Sequence, residues 1–248
     1  MKILSAGHYW RIFAAGICYV VFGIGAFLPG LYVVIVAVSP LHKDRKQAHA
    51  RKAIQLLCLF YVNLMRALGL FSFDVERNYP NEMEWPVAGH LVISNHSTLI
   101  DALFVLAYVD NLCCVVKQPL CVNPVTRIPV KLAGYISNSA EDFFEQASAK
   151  IAAGENVLIF PEGTRNSYDT QLEMRRGAAK VAVISNCPVL PLVIKPMPRV
   201  VQKGQSWYEL PPVKSQIVVR INSPHLIQNC IDTSLPRTLQ YRRLTQYW

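Results

Sequence analysis

From Ile12 to Val38 the chain carries no charged residue, and this run restricts what it can fold into. A helix of that length, rising about 1.5 Å per residue, exceeds the roughly 30 Å hydrocarbon core of a bilayer. A retained membrane segment is therefore expected. A cleavable leader is not, because the apolar region is long and no small-residue cleavage site precedes Leu41-His42-Lys43. Pro29-Gly30 interrupts the run near its middle, where proline removes a helical hydrogen bond and glycine relaxes the backbone. The segment is then either one kinked spanning helix or a hairpin that dips in and returns. Positive charge on both flanks, Lys2 and Arg11 before and Lys43 to Lys46 after, favours the hairpin.

The basic excess lies beside that run. The net charge is +9, and Lys43, Arg45, Lys46, Arg51 and Lys52 follow the apolar block with only Asp44 opposing them. Such a cluster attracts anionic headgroups and favours a cytoplasmic flank; the plainer reading is a solvated helix face. Nucleic acid is not expected as a partner, since basic and aromatic residues are not interleaved and no binding motif is present. Seven scattered cysteines without a C-x-x-C pair indicate neither a zinc site nor a disulfide framework, and a reducing compartment fits them.

A second apolar stretch, Ile54 to Phe73, carries Asn63 and Arg66 and reads as an amphipathic helix lying in the interface or packed on the domain rather than a clean span. After a polar connection from Asn78 to Trp85, strands and helices alternate. His90–Ser94, Cys113–Val116, Asn156–Phe160, Val189–Lys195 and Gln216–Ile221 read as strands. Helices are expected at Thr98–Tyr108, capped by Ser97, from a capping box at Ser139–Asp142 to Gly154, and at Met174–Ser185. This alternation predicts an α/β fold, a mixed sheet covered by helices, with an N-terminal apolar helical membrane anchor.

Two short segments carry chemistry. In Asn95-His96-Ser97-Thr98-Leu99-Ile100-Asp101 the histidine leaves a strand and the aspartate follows five residues later. A carboxylate bonded to one ring nitrogen fixes the tautomer and leaves the other nitrogen basic. Such a base suits acyl transfer from a thioester to an alcohol, in which the alcohol loses its proton as it attacks. Alone, His-x4-Asp is a weak signal, better read as a capped helix with a hydrogen-bonded histidine. No metal is expected, since only His90 is near. In Phe160-Pro161-Glu162-Gly163-Thr164-Arg165 the proline ends a strand and Gly163 permits a tight turn. Arg165 offers a forked donor to a phosphate, and Thr164 a hydroxyl.

Together, and in this order, the two segments resemble the signature of the glycerolipid acyltransferases, the lysophosphatidate acyltransferase (PlsC-like) family. The resemblance covers most of Leu91 to Ile194. It implies that His96 and Asp101 form the catalytic pair and that the turn of Glu162, Gly163, Thr164 and Arg165 binds the acceptor, with the phosphate on Arg165 and Thr164, and with Glu162, which would repel it, bracing an arginine or bonding the acceptor's glycerol. Lys117, with Pro124, resembles a downstream basic residue followed by proline, and is taken as substrate-binding. Arg175-Arg176-Gly177 resembles the arginine-glycine segment after the turn, and Arg176 is taken as substrate-binding. Cys187 to Leu192 resembles a late scaffold block. Gly134 to Ser139 carries no arginine where the family usually has one, so Arg127, Lys131 or Arg176 is left to supply that charge.

The resemblance divides the chain at residue 73 into an N-terminal anchor with amphipathic helices, 1–73, and a catalytic domain, 74–248. It implies a membrane-bound O-acyltransferase with its catalytic domain on the cytoplasmic face. Acyl-CoA or acyl carrier protein would be the donor co-substrate, a lysolipid the acceptor, and no cofactor would be needed. The default acceptor is 1-acyl-glycerol-3-phosphate. The alternatives are another lysolipid, such as a lyso-aminolipid or a specialised acyl product, and a catalytically idle membrane scaffold.

Overall fold

Successive strand residues face opposite sides of a sheet, so a strand buried throughout must be covered on both faces. Leu91–Ser94 and Asn156–Ile159 are such strands. In a computed structural model describing residues 5–25, 35–36, 38–80, 85, 87–124, 126–164, 174–202 and 204–248, both lie inside a seven-stranded mixed sheet.

The elements in chain order are α1 (Ala6–Gly25), α2 (Lys43–Ala67), β1 (Phe71–Asn78), β2 (Leu91–Ser94), α3 (Asp101–Tyr108), β3 (Leu112–Val116), α4 (Gln118–Val122), α5 (Arg127–Leu132), β4 (Ile136–Ser137), α6 (Phe143–Ala152), β5 (Asn156–Ile159), α7 (Gly177–Ser185), β6 (Val189–Met197), β7 (Ser215–Asn222), a 3₁₀ turn (Ile227–Asn229) and α8 (Arg237–Tyr247). The strand order is β1-β7-β6-β2-β5-β3-β4. Neighbours are parallel except β6 and β7. Strands β2, β5, β3 and β4 therefore end on one edge, where open α/β sheets form ligand crevices.

Strand alternation divides the core. Val92, Leu158, Leu190 and Leu192 face a layer that includes Cys58 and Val62 of α2 and Phe104 and Val105 of α3. Leu91, Ile93, Val157 and Ile159 face the other layer, with Ala147 and Ile151 of α6, Ala178 and Val181 of α7 and Leu244 of α8. Both faces are covered, as the alternation of elements predicts.

The N-terminal region departs from its sequence reading. The basic cluster and the amphipathic stretch form one helix, α2, which ends at Ala67 rather than Phe73. The stop is a Schellman turn: the Leu70 amide reaches the Met65 carbonyl at 3.0 Å and the Gly69 amide reaches Arg66 at 3.0 Å. Gly69 supplies the required positive φ of 78°. Residues 71–73 thus belong to β1, so a division at residue 73 runs through a strand. Arg51, grouped above with the lipid-facing charges, is buried. It bonds Glu155 at 2.9 Å, the Asn111 side chain at 2.9 Å and the Ala133 carbonyl at 3.1 Å. Lys150 joins Glu155 from the other side at 2.9 Å. This cluster ties α2 to the sheet layer. Helix α1 is docked as well: Tyr61 of α2 donates to the Cys18 carbonyl at 2.7 Å, and Arg11 bonds the Pro212 carbonyl.

No helix of the described residues is long and apolar enough to cross a membrane. Pro29-Gly30 and the choice between hairpin and span lie outside the described residues. Three helix starts also shift. The first opens at Asp101, not Thr98, because the carboxylate of Asp101 takes the Ser97 and Thr98 amides. Another opens at Phe143, where Asp142 stands at the N-cap, so Ser139 forms no capping box. The third opens at Gly177 rather than Met174.

Truncating one side of a buried ion pair leaves its partner charged and desolvated. Arg51→Ala is expected to lower unfolding stability by about 3 kcal/mol, the low end for a buried pair because Lys150 still faces Glu155. Equilibrium urea unfolding checks it, and a change within about 0.5 kcal/mol, typical of surface substitutions, would remove the clamp from the account.

Candidate active site

Strand β2 ends at Ser94, and the next two residues turn the chain away from the sheet. The Asn95 side chain stays behind, bonding both backbone groups of Ile194 on β6: its amide donates to the carbonyl and its oxygen accepts the N–H, each at 2.8 Å. The His96 amide points the other way and donates to Oε1 of Glu162 at 3.1 Å. Glu162 stands in the turn after β5, so this one bond joins the two motifs across neighbouring strands.

Asp101 is fully buried. Its Oδ2 accepts the Ser97 and Thr98 amides, each at 2.6 Å, and its Oδ1 accepts the Thr98 hydroxyl. The carboxylate also begins α3, where the helix dipole favours negative charge. Oδ2 lies 3.5 Å from Nδ1 of His96, an ion-pair distance at which the ring has not closed a hydrogen bond. The imidazole stacks on Phe160 at a centroid separation of 4.4 Å and 26° between planes. One fifth of the His96 side chain remains exposed. With Nδ1 turned to Asp101, Nε2 is the ring nitrogen that does not face the carboxylate.

The turn after β5 is built from its own sequence. Gly163 adopts φ 68°, and a Cβ there would come 3.1 Å from the side chain of Arg175. Glycine thus supplies both the left-handed backbone and the room for that arginine. The Arg175 amide closes onto the Pro161 carbonyl at 2.8 Å. Glu162 is buried and its Oε2 has no partner. Burial pushes its carboxyl above the usual glutamate range, against the opposing effects of the His96 amide and imidazole.

Of the residues singled out from sequence, His96, Asp101, Glu162 and Gly163 converge. Thr164 follows them, half-buried, and Arg165 lies outside the described residues. Lys117 is the exposed N-cap of α4 at the end of β3, and no described hydrogen bond joins it to His96 or Glu162. Arg176 is the exposed N-cap of α7. The arginine that meets the turn is its neighbour Arg175, a distinction set by where α7 begins. Arg127 and Lys131 are exposed on α5. The roles of Asn95 and Phe160 carried no separate sequence signal. Among the described residues no three His, Cys, Asp or Glu side chains group to hold a metal ion.

Beside the loop that carries His96 is an almost wholly apolar cavity of about 210 Å³. Tyr19 and Phe22 of α1, Tyr61 and Met65 of α2, and Leu99 and Ile100 of the loop line it, with Val201 and Trp207 from the β6–β7 connection. Val201 has φ 48°, a strained backbone for a β-branched residue, and its carbonyl accepts the Leu99 amide at 3.2 Å.

The family described as Acyltransferase matches residues 60–195, more than half of the chain. The chain belongs to this acyltransferase family. Among its relatives it is 26% identical over 172 residues to the 1-acyl-sn-glycerol-3-phosphate acyltransferase alpha of Mus musculus, covering 66% of this chain and 58% of that protein. It is 27% identical over 188 residues to the 1-acyl-sn-glycerol-3-phosphate acyltransferase of Pseudomonas aeruginosa, covering 70% and 67%. The match to the mouse relative thus spans under two thirds of that protein's length. The crystal structure of the LPA acyltransferase PlsC from Thermotoga maritima matches with a TM-score of 0.68 over 95% of this chain and 93% of that one, at 18% identity. At that identity the likeness is one of fold, and it matches the mixed sheet flanked by helices.

The raised carboxyl of Glu162 gives a signed expectation. A group that binds its proton more tightly when folded makes the protein less stable as pH rises from its ordinary value through the folded one. Glu162→Gln removes that penalty while keeping an oxygen for the His96 amide. It is expected to raise Tm at neutral pH, with the gain vanishing below the ordinary glutamate range. Thermal unfolding against pH checks this; a gain that persists in acid would mean that burial of the charge is not its source.

Proposed function

We propose that this acyltransferase moves a fatty acyl chain from a thioester donor, acyl-CoA or acyl carrier protein, to the hydroxyl of a lysolipid, by default 1-acyl-glycerol-3-phosphate. The observation that carries it is a solvent-reached imidazole backed by a buried carboxylate beside an apolar cavity. Nε2 of His96 takes the acceptor's hydroxyl proton as its oxygen attacks the thioester carbonyl. The tetrahedral intermediate expels the thiolate, which receives that proton, so an ester and a free thiol result. Asp101 holds the ring and stabilises the imidazolium. The thioester is already activated, so no protein nucleophile is needed. The apolar cavity suits an alkyl chain. The curated relatives' names and the Arg165 motif support a phosphate-bearing acceptor, with Arg175 as a second cation beside Gly163.

One observation favours a second acceptor class, a lysolipid lacking that phosphate: Gly134 to Ser139 contains no arginine. Purified protein offered acyl-CoA and acyl carrier protein with a panel of lysolipids, read by mass spectrometry, separates the two. His96→Ala should cut transfer to the preferred acceptor by about 10²–10⁴-fold, the usual worth of a positioned base. Wild-type turnover in the folded variant would reject His96 as the base.

The site works at a lipid surface, with the catalytic domain on the cytoplasmic face. Large apolar side chains exposed on α1 (Tyr9, Trp10, Phe13, Val20) and α2 (Leu56, Phe60) support this, as do Lys43 and Arg45 at the exposed start of α2. Full-length protein should float with vesicles and stay bound in high salt, because apolar contact is not screened as charge is. Release by salt alone would reduce the attachment to electrostatics.

A further inference from the structure

Asn95 stands where a strand must stop and a catalytic loop must start. The parallel ladder of β2 with β6 ends at the pair Ser94 and Leu192, yet β6 continues through Ile194 to Met197. In a strand, the N–H and C=O of one residue point to the same side, so those of Ile194 face the place that β2 has vacated. Ile194 is almost fully buried, where a backbone N–H or C=O left unpaired would cost stability. The Asn95 side chain has the same pair of groups as a peptide unit, one donor and one acceptor. It fills the vacated position, both bonds at 2.8 Å, while its own backbone leaves the sheet. The next amide, that of His96, is then turned to Glu162 on the opposite neighbour. The two amides after it reach Asp101.

We infer that Asn95 is the positioning residue of this site: by standing in for a strand peptide against Ile194, it sets where the main chain leaves the sheet, and hence where the His96 ring sits relative to Asp101. The inference rests on the acyl transfer proposed above for His96. Asn95 touches neither substrate nor reacting atoms in this account and acts only through His96. Aspartate is isosteric but cannot donate to the Ile194 carbonyl, and alanine loses both bonds.

The test uses the full chain and two readouts. In the kinetic arm, Asn95→Ala should lower kcat by about 10²-fold, the scale of an ångström's misplacement of a catalytic group, with both KM values unchanged. In a His96→Ala background the same change should cost nothing further, because residues acting as one unit are not additive. Equal losses in both backgrounds would overturn the inference. In the second arm, ¹⁵N-labelled histidine reports which ring nitrogen holds the proton, and His96→Gln assigns its signal among the six histidines. The wild-type protein should hold a single Nδ1–H tautomer that Asn95→Ala converts to a mixture; an unchanged ring pattern would overturn the inference. This arm needs no turnover, so an inactive wild-type protein would reject the proposed reaction while Asn95 is still judged. Asn95→Asp serves both comparisons should the alanine variant fail to fold.

Discussion

A carboxylate removed from water needs fixed donors in place of the lost hydration, and Asp101, fully buried, has them. Two backbone amides and a threonine hydroxyl hold it at the first residue of α3. The surrounding site depends on that arrangement. The same bonds shape residues 97–98 into the turn that presents His96, delay the start of α3, and fix the carboxylate beside Nδ1. Loop shape and the placement of the carboxylate therefore come from one set of hydrogen bonds.

The sheet contributes by arranging where strands stop. Strand β2 lies between β6 and β5, and its exit is held on both sides, by Asn95 on Ile194 and by Glu162 on the His96 amide. Glu162 has an unpartnered oxygen in a buried position that raises its affinity for a proton. Such a group costs stability in the resting protein and is kept where a ligand can satisfy it.

Much of this was legible in the sequence. Short apolar runs gave the central strands because burial on both faces leaves no polar positions to confuse the pattern. The pair His96 and Asp101 stood out only beside the Phe160 to Arg165 segment, since His-x4-Asp alone also describes a capped helix. What escaped notice depended on tertiary partners. Phe71 and Phe73 continue the apolar pattern of α2, and only the Schellman turn at Gly69 separates helix from strand. Arg51 looks like any basic surface residue until Glu155 and Asn111 are brought against it from distant segments. Arg175 and Arg176 are indistinguishable until α7 is given a first residue. The short helices α4 and α5 and the C-terminal α8 have too little apolar periodicity to announce themselves.

The edge pairing of the sheet bears on how the chain is made. Strand β1 has β7 as its partner, with Phe71 opposite Ser215 and Asn78 opposite Asn222. During synthesis from the N-terminus β1 emerges long before β7, carrying two phenylalanines destined for the core. An unpaired strand of that kind is prone to associate with other chains. Pairing across so much sequence is also slow, because loop-closure entropy must be overcome before contacts repay it. Until β7 arrives, the nascent chain has its N-terminal helices and an open strand but not the partner that closes that edge.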